Sequence, residues 1–176
     1  MNKILLFAAF LCCSVSSFAQ RDLGYRGMVD LSGGIGITPG SRFMVGLSTT
    51  HGYQATPFLF FGAGVAINAI GVKEGYEGHS ESNDGEFYPI FGDIRIDIGS
   101  AKFSPFVDFR AGYSFISNKG LYLNPTIGAH YAKSENFGWN LGVGYEHQSC
   151  DGFFIDKNGK LKKSLGNIVL RVGIDF

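Results

Sequence analysis

The residues best suited to chemistry in this sequence are a histidine and a serine two positions apart, His147 and Ser149. On a β-strand, residues i and i+2 point to the same face, so the imidazole and the hydroxyl would be neighbours. A histidine within reach of a serine can act as its general base. Asp151 or Asp156 would have to supply the carboxylate that orients the histidine. The pair therefore defines a candidate catalytic site.

A second polar group is an acidic segment in the first half of the chain. Its members are Glu74, Glu77, His79, Glu81, Asp84 and Glu86. Carboxylate oxygens are the ligands that Ca²⁺ prefers. However, Asn83-Asp84-Gly85 does not reproduce the spacing of a known calcium loop, so we expect a solvated surface segment. The sequence implies no metal site and no cofactor.

The third group consists of charged residues that alternate with apolar ones. The acidic members are Asp30, Asp93, Asp97, Asp108, Glu146 and Asp175, and the basic ones are Arg95, Arg110 and Arg171. In the segment 90–98, for example, Ile94 and Ile96 fall on one face of a strand and Arg95 on the other. Buried charges persist only when they are paired and hydrogen-bonded. If these residues face an interior, we expect an ion-pair network there.

The elements that position these residues begin after a predicted signal peptide, residues 1–19. Lys3 supplies the positive start, Ile4 to Cys13 the apolar stretch, and Ser17-Phe18-Ala19 a small-x-small cleavage site. The mature chain, residues 20–176, then has 14 basic and 15 acidic residues. Binding to nucleic acid through bulk charge is thus not expected. Cys150 remains as a single cysteine without an internal partner.

The composition indicates that, if the protein crosses a membrane, it does so with β-strands and not with α-helices. Charged residues make up 17% of the chain, below the roughly 25% of globular domains, and glycine and phenylalanine are frequent. The longest apolar run after the signal lies near Pro57 to Ile67, well short of the roughly 20 residues of a membrane helix. Any crossing of a bilayer must therefore be made by strands.

Period-two alternation recurs in eight segments of about ten residues, the length of a tilted membrane strand. The segments are residues 24–37, 42–53, 58–70, 90–98, 107–115, 121–131, 139–146 and 168–176. Short turns near residues 54–57, 99–104 and 133–136 fall on one side, and long connections at 72–86 and 149–163 on the other. The pattern predicts an all-β, eight-stranded antiparallel up-and-down transmembrane barrel. Glycine beside charge on the inner face suits a narrow, filled lumen.

The last strand, Ile168 to Phe176, alternates apolar residues and ends on an aromatic. This resembles the assembly signal of the small eight-stranded, porin-like outer membrane barrels of the OmpA/OmpX type, a resemblance that covers the whole mature chain. It implies a Gram-negative outer membrane location with both termini periplasmic and the long loops extracellular. It also implies a monomer in contact with membrane lipid and lipopolysaccharide, inserted by barrel-assembly machinery that reads Phe176.

For the function we expect a structural or surface-binding role without catalysis or a general diffusion pore. Two alternatives stay open. His147-Gln148-Ser149 resembles the His-x-Ser of outer membrane lipid A 3-O-deacylases, although Cys150 replaces the asparagine that follows in that family. Alternatively, the chain is a soluble ligand-binding barrel, which would have an apolar interior and a polar exterior.

Overall fold

The computed structural model describes residues 23–37, 41–72, 85–98, 102–117, 119–134, 137–155 and 161–176. They form eight strands: β1 (Gly24–Gly36), β2 (Ser41–Thr56), β3 (Leu59–Val72), β4 (Gly85–Asp97), β5 (Phe103–Ser117), β6 (Gly120–Ser134), β7 (Phe137–Ile155) and β8 (Leu161–Asp175). Within these ranges, no α-helix has the length and apolar composition needed for a membrane crossing. The predicted signal peptide lies outside the described residues.

Each strand pairs antiparallel with its sequence neighbour, and β8 pairs with β1, so the sheet is closed. The register can be traced around the barrel by moving from each residue to its partner on the next strand. Starting at Gly24 on β1, this path passes through Arg95 and Asp108 and returns to β1 at Gly34, so the sheet closes with a shift of ten residues. Such a stagger tilts the strands by about 35–45°. The predicted eight-stranded up-and-down antiparallel barrel is confirmed.

The two walls of the barrel differ sharply in polarity. On β4, Ile94 is 45% exposed on the outside, whereas its neighbour Arg95 is fully buried inside. The same alternation runs along β5, where Val107 and Phe109 are exposed and Asp108 is buried. A soluble ligand-binding barrel has the opposite arrangement, because water demands a polar exterior. The structure therefore contradicts that alternative.

Several strands extend beyond the predicted segments. β4 begins at Gly85, before the predicted start at Ile90, and β2 continues to Thr56. β7 and β8 continue as a paired ribbon, with Ile155 opposite Leu161 beyond a register shift. The predicted long connection at 149–163 is therefore mostly strand. Residues 156–160, between the two strands, lie outside the described residues.

The side of the barrel with the predicted long connections also has a short one, since β5 ends at Ser117 and β6 begins at Gly120. On β6, Pro125 cannot donate an N–H to the sheet, yet it pairs with Phe109 in a regular register.

Candidate functional site: the lumen and the outer wall of β7

The barrel has two ends, defined by its chain connections. The termini end is the end where β1 begins and β8 finishes, and the loop end is the opposite one, where β7 joins β8. At the termini end, Arg26 Nη1 lies 2.8 Å from Asp97 Oδ2, and Arg26 Nη2 lies 2.9 Å from Asp175 Oδ2. Gln54 accepts a further hydrogen bond from Arg26, and His130 Nε2 lies 3.0 Å from Asp175 Oδ2. Two carboxylates from β4 and β8 are thus joined by one arginine.

The middle of the lumen holds the densest group of charges, which we call the central cluster. Its members are Asp30, Asp93, Arg95, Asp108, Arg110 and Arg171, all buried. Arg110 forms an ion pair with Asp30, and its Nε lies 3.1 Å from Asp93 Oδ2 and 3.6 Å from Asp108 Oδ1. One guanidinium therefore contacts carboxylates from β1, β4 and β5.

Like Arg110, Asp108 contacts several charged residues of the central cluster. Its Oδ2 accepts hydrogen bonds from Arg95 Nη2 at 2.6 Å and Arg95 Nε at 2.9 Å. Arg171 Nη2 forms an ion pair with the same oxygen at 2.8 Å. Three arginines thus face three aspartates, and the formal charges of the cluster cancel. This balance satisfies the requirement that charges removed from water be paired.

Aromatic and small side chains complete the packing around the charges. The guanidinium carbon of Arg95 lies 4.2 Å from the centre of the Phe106 ring, and that of Arg110 lies 5.1 Å from the Phe91 ring. Such contacts over a ring face are favourable for a cation. Gly173 makes room for an acid, since a Cβ there would lie 2.0 Å from Asp30 Oδ1. A side chain at this position would therefore displace the Asp30 carboxylate.

Towards the loop end, Glu146 has a different environment, which we call the Glu146 chamber. Its carboxylate accepts hydrogen bonds from Asn68 Nδ2 at 2.8 Å, Asn124 Nδ2 at 3.2 Å and the Tyr122 hydroxyl at 3.4 Å. Within the described ranges, no arginine, lysine or histidine forms an ion pair with it. Glu146 is thus held by neutral donors alone among the described residues.

A separate buried cluster of apolar side chains lies in the lumen near the loop end. It consists of Met44, Phe87, Leu165 and Val169.

All of the acids and arginines expected to face inwards are buried, and the structure divides them among three sites rather than one network. Asp97 and Asp175 belong to the termini end and Glu146 to its own chamber; the others form the central cluster. The sequence reasoning did not single out Arg26, His130 or the amide donors of Glu146. Arg26 lies four residues before Asp30 on the same face of β1, so the alternation of inward and outward residues along the strand would have predicted that it faces the lumen.

On the outer wall of β7, the structure brings the two residues of the candidate catalytic site together. Ser149 Oγ lies 3.3 Å from His147 Nε2, and the Tyr145 ring centre lies 6.4 Å from that of the imidazole. No carboxylate in the described part of the chain forms a hydrogen bond with His147. The side chain of Asp151, and all of Asp156, lie outside the described residues. The geometry thus provides a hydroxyl and a base without the third member.

The predicted acidic segment is described only at its end. Residues 73–84 lie outside the described ranges, and Glu86 accepts a hydrogen bond from the Tyr88 hydroxyl at 2.6 Å. Among the described residues, no three His, Cys, Asp or Glu side chains are grouped as metal ligands.

Phe176 closes the barrel at the termini end. Its N–H donates to the Gly27 carbonyl at 2.9 Å, and its own carbonyl accepts from Gly27 at 2.7 Å. The Phe176 ring centre lies 6.5 Å from that of His51 on the outer wall. His51 also contacts the Tyr25 hydroxyl and lies 2.9 Å from Thr49 Oγ1. This polar group was not foreseen, because His51 interrupts the apolar face of β2.

These features define the class as a closed eight-stranded barrel with a charged lumen and an apolar outer wall. At the level of sequence, no protein-family model and no curated protein matches the chain. Among solved structures, the chain is similar to the crystal structure of Neisserial surface protein A, with a TM-score of 0.58 and 15% identity over 87% of this chain and 95% of that one. It also aligns with the N-terminal β-barrel domain of Pseudomonas aeruginosa OprF, with a TM-score of 0.42 and 15% identity over 86% and 97% of the two chains. The expected resemblance to small eight-stranded barrels is confirmed for the fold.

Proposed function

We propose that the protein is an outer membrane β-barrel with a structural or surface-binding role. The observation that carries this proposal is the inverted polarity of the walls, with Ile94 and Leu170 exposed while Arg95 and Arg171 are buried. Exposing aliphatic side chains around a whole barrel is unfavourable in water, whereas in a bilayer the same wall contacts hydrocarbon. Because β1 and β8 are hydrogen-bonded to each other, the eight described strands leave no unpaired sheet edge in the lipid.

The proposal includes a lumen closed to general diffusion. Its support is the central cluster, in which Arg110 and Asp108 of β5 are almost completely buried and form ion pairs across the interior with Asp30 of β1 and Arg171 of β8. Opening a path for solutes would separate ion pairs that compensate one another's desolvation. The protein therefore acts through its surface, with lipid and lipopolysaccharide as its surroundings.

The biogenesis that we propose rests on the residue pattern of segment 1–19 and of the strand that includes Phe176. Residues 1–19 are removed after export, and the barrel-assembly machinery reads the strand ending in Phe176. Insertion then leaves the termini end in the periplasm, the loop end outside the cell and the protein monomeric. The backbone pairing of Phe176 with Gly27 supports this scheme, because it places Phe176 in the seam where β8 meets β1.

Two measurements test the proposal. Cell fractionation followed by gel electrophoresis with and without heating should place the protein in the outer membrane and show a heat-dependent shift in migration. Planar bilayers containing the purified protein should show no sustained open current. Recovery in the soluble fraction without a shift would refute the membrane assignment, and a steady conductance would refute the closed lumen.

A second candidate function is supported by the 3.3 Å separation of Ser149 Oγ and His147 Nε2 on the outer wall. In this alternative, the protein is a lipid A deacylase-like hydrolase with Ser149 as nucleophile and His147 as base. Purified protein in mixed micelles with lipid A should then release a fatty acid, and Ser149→Ala should abolish the release. Ser164, the strand partner of Ser149, provides the matched control, since Ser164→Ala should retain the activity. Release that persists in Ser149→Ala would remove the proposed nucleophile.

A further inference from the structure

An open groove of about 400 Å³ runs along the outer wall where β7, β8 and β1 meet. The residues that line it are Gly33, Gly34, Ile35, Val143, Ile168, Val169 and Leu170. They are glycine or aliphatic, so the groove offers no charged or polar side chain to an occupant. Its position across the closing seam sets it apart from the lumen clusters.

The groove depends on the missing side chain of Gly33. This residue lies on the outward face of β1, opposite Leu170 on β8 and Val45 on β2. Its next neighbour on that face, Ile35, is 64% exposed. A Cβ built on Gly33 would have no atom within 4 Å, so the space above the backbone is empty. The surrounding aliphatic side chains form the sides of the groove.

The size and chemistry of the groove favour a hydrocarbon chain as its occupant. A stable protein interface needs about 20–30 residues from each partner, many more than the seven that line this groove. The groove is also continuous with the exposed apolar wall, to which Leu31, Leu141 and Val172 belong. An acyl chain is long, narrow and fully apolar, and therefore matches both the lining and the surroundings.

The groove has a polar end towards the loop end of the barrel. Tyr145 pairs with Ile168, and His147 pairs with Gly166, two residues further along the same strands. Two residues of a strand span about 7 Å, so the His147 and Ser149 pair lies just beyond the groove. Hydrogen-bonding groups beyond the end of an apolar groove suit a lipid whose acyl chain is joined to a polar headgroup.

We propose that this groove binds an acyl chain of lipopolysaccharide, with the headgroup towards His147 and Ser149. The inference rests on the proposed outer membrane location, which puts the loop end in the lipopolysaccharide-containing leaflet. It requires no catalysis, since binding and hydrolysis are separable properties of the same wall.

The test uses one variant that fills the groove and one that adds the same side chain elsewhere. Gly33→Leu places an isobutyl group in the empty space. Gly92→Leu on β4 is the matched control, because Gly92 also faces outwards and its added Cβ would meet only the Ala111 carbonyl oxygen, at 3.9 Å. Delipidated wild-type protein and both variants are titrated in detergent with lipopolysaccharide, and bound lipid is counted by native mass spectrometry. Phosphatidylethanolamine serves as the comparison lipid.

Wild type and Gly92→Leu should retain one lipopolysaccharide, while Gly33→Leu binds it roughly tenfold more weakly, as expected for displacing about two methylene groups. Equal retention by all three proteins would overturn the inference, as would loss confined to phosphatidylethanolamine. Each protein is first checked for outer membrane fractionation and the heat-dependent gel shift. A wild-type protein that fails those checks refutes the proposed function itself, whereas normal insertion with unchanged lipid binding refutes only the groove assignment.

Discussion

The central cluster and the Glu146 chamber show two ways to bury a carboxylate in one narrow lumen. Asp108 faces Arg95, Arg110 and Arg171 at ion-pair distances. Glu146 instead accepts hydrogen bonds from two asparagines and a tyrosine. Both acids are almost fully buried, so the contrast lies in their partners rather than in their exposure.

This contrast indicates where the barrel is sensitive to substitution. In the central cluster each charge compensates others from different strands, so the loss of one leaves several uncompensated. In the Glu146 chamber the partners are neutral, and a neutral acceptor can replace the acid. We therefore expect the loss of unfolding free energy to be largest for a substitution of Arg110 and smallest for a substitution of Glu146. The common measurement is urea unfolding in detergent micelles, followed by the fluorescence of Trp139, the single tryptophan, which lies on the outer wall.

The largest effect is expected for Arg110→Met, which keeps the bulk of the side chain and removes its charge. Asp30 and Asp93 then lose their arginine contact, and Asp108 keeps only two. Breaking a buried pair in this way costs about 3–5 kcal/mol of unfolding free energy. Loss of less than about 1 kcal/mol would show that the central cluster does not hold the lumen together.

Asp108→Asn should have the next largest effect. The amide oxygen can still accept a hydrogen bond from Arg95, but the compensation of three guanidinium groups is lost. Hydrogen bonds to charged groups contribute about 1.5–3 kcal/mol, and we expect a loss in that range. The double variant with Arg110→Met should lose less than the sum of the single losses, because the two residues share a contact. Strict additivity would contradict the coupling.

Gly173→Ala tests the close packing around the same charges. The added Cβ would lie 2.0 Å from Asp30 Oδ1, so either the backbone or the acid must move. We expect a loss of at least about 1 kcal/mol, the lower part of the range for overpacking. Gly33→Ala is the control, because no atom lies within 4 Å of its added Cβ, and it should stay within about 0.5 kcal/mol of wild type. Equal stabilities of the two variants would show that the backbone near Gly173 can move at little cost to accommodate the added Cβ.

Period-two alternation was sufficient to predict which side chains enter the lumen. Every charged residue assigned to the inner face, from Asp30 on β1 to Asp175 on β8, is buried. The reason is geometric: successive residues of a strand point to opposite faces, whatever the neighbouring strands do. The number of strands was predicted from the same pattern. The start of β4 and the end of β7 were not, because apolar residues alternate less regularly with polar ones in those parts of the sequence.

The pairing of charges could not be predicted in the same way. Arg95 contacts Asp108 because the register places β4 and β5 side by side at that level, while Arg171 reaches Asp108 across the lumen from β8. Such contacts depend on the stagger of the closed sheet, which no single strand encodes. The separation of Glu146 from the arginines has the same origin, since its level is set by the pairing of β7 with β8.

Glu146→Gln should have the smallest effect and gives the sharpest contrast with Asp108→Asn, since both change a carboxylate to an amide. The Gln oxygen can accept from Asn68 and Asn124, and no arginine loses its counter-charge. We expect a change within about 1 kcal/mol. Glu146→Leu should cost more, because it leaves the asparagine amides without an acceptor in a buried site. If Glu146→Gln proves as damaging as Asp108→Asn, the negative charge of Glu146 is itself required, and the division of the lumen into a charge-paired centre and a neutral chamber fails.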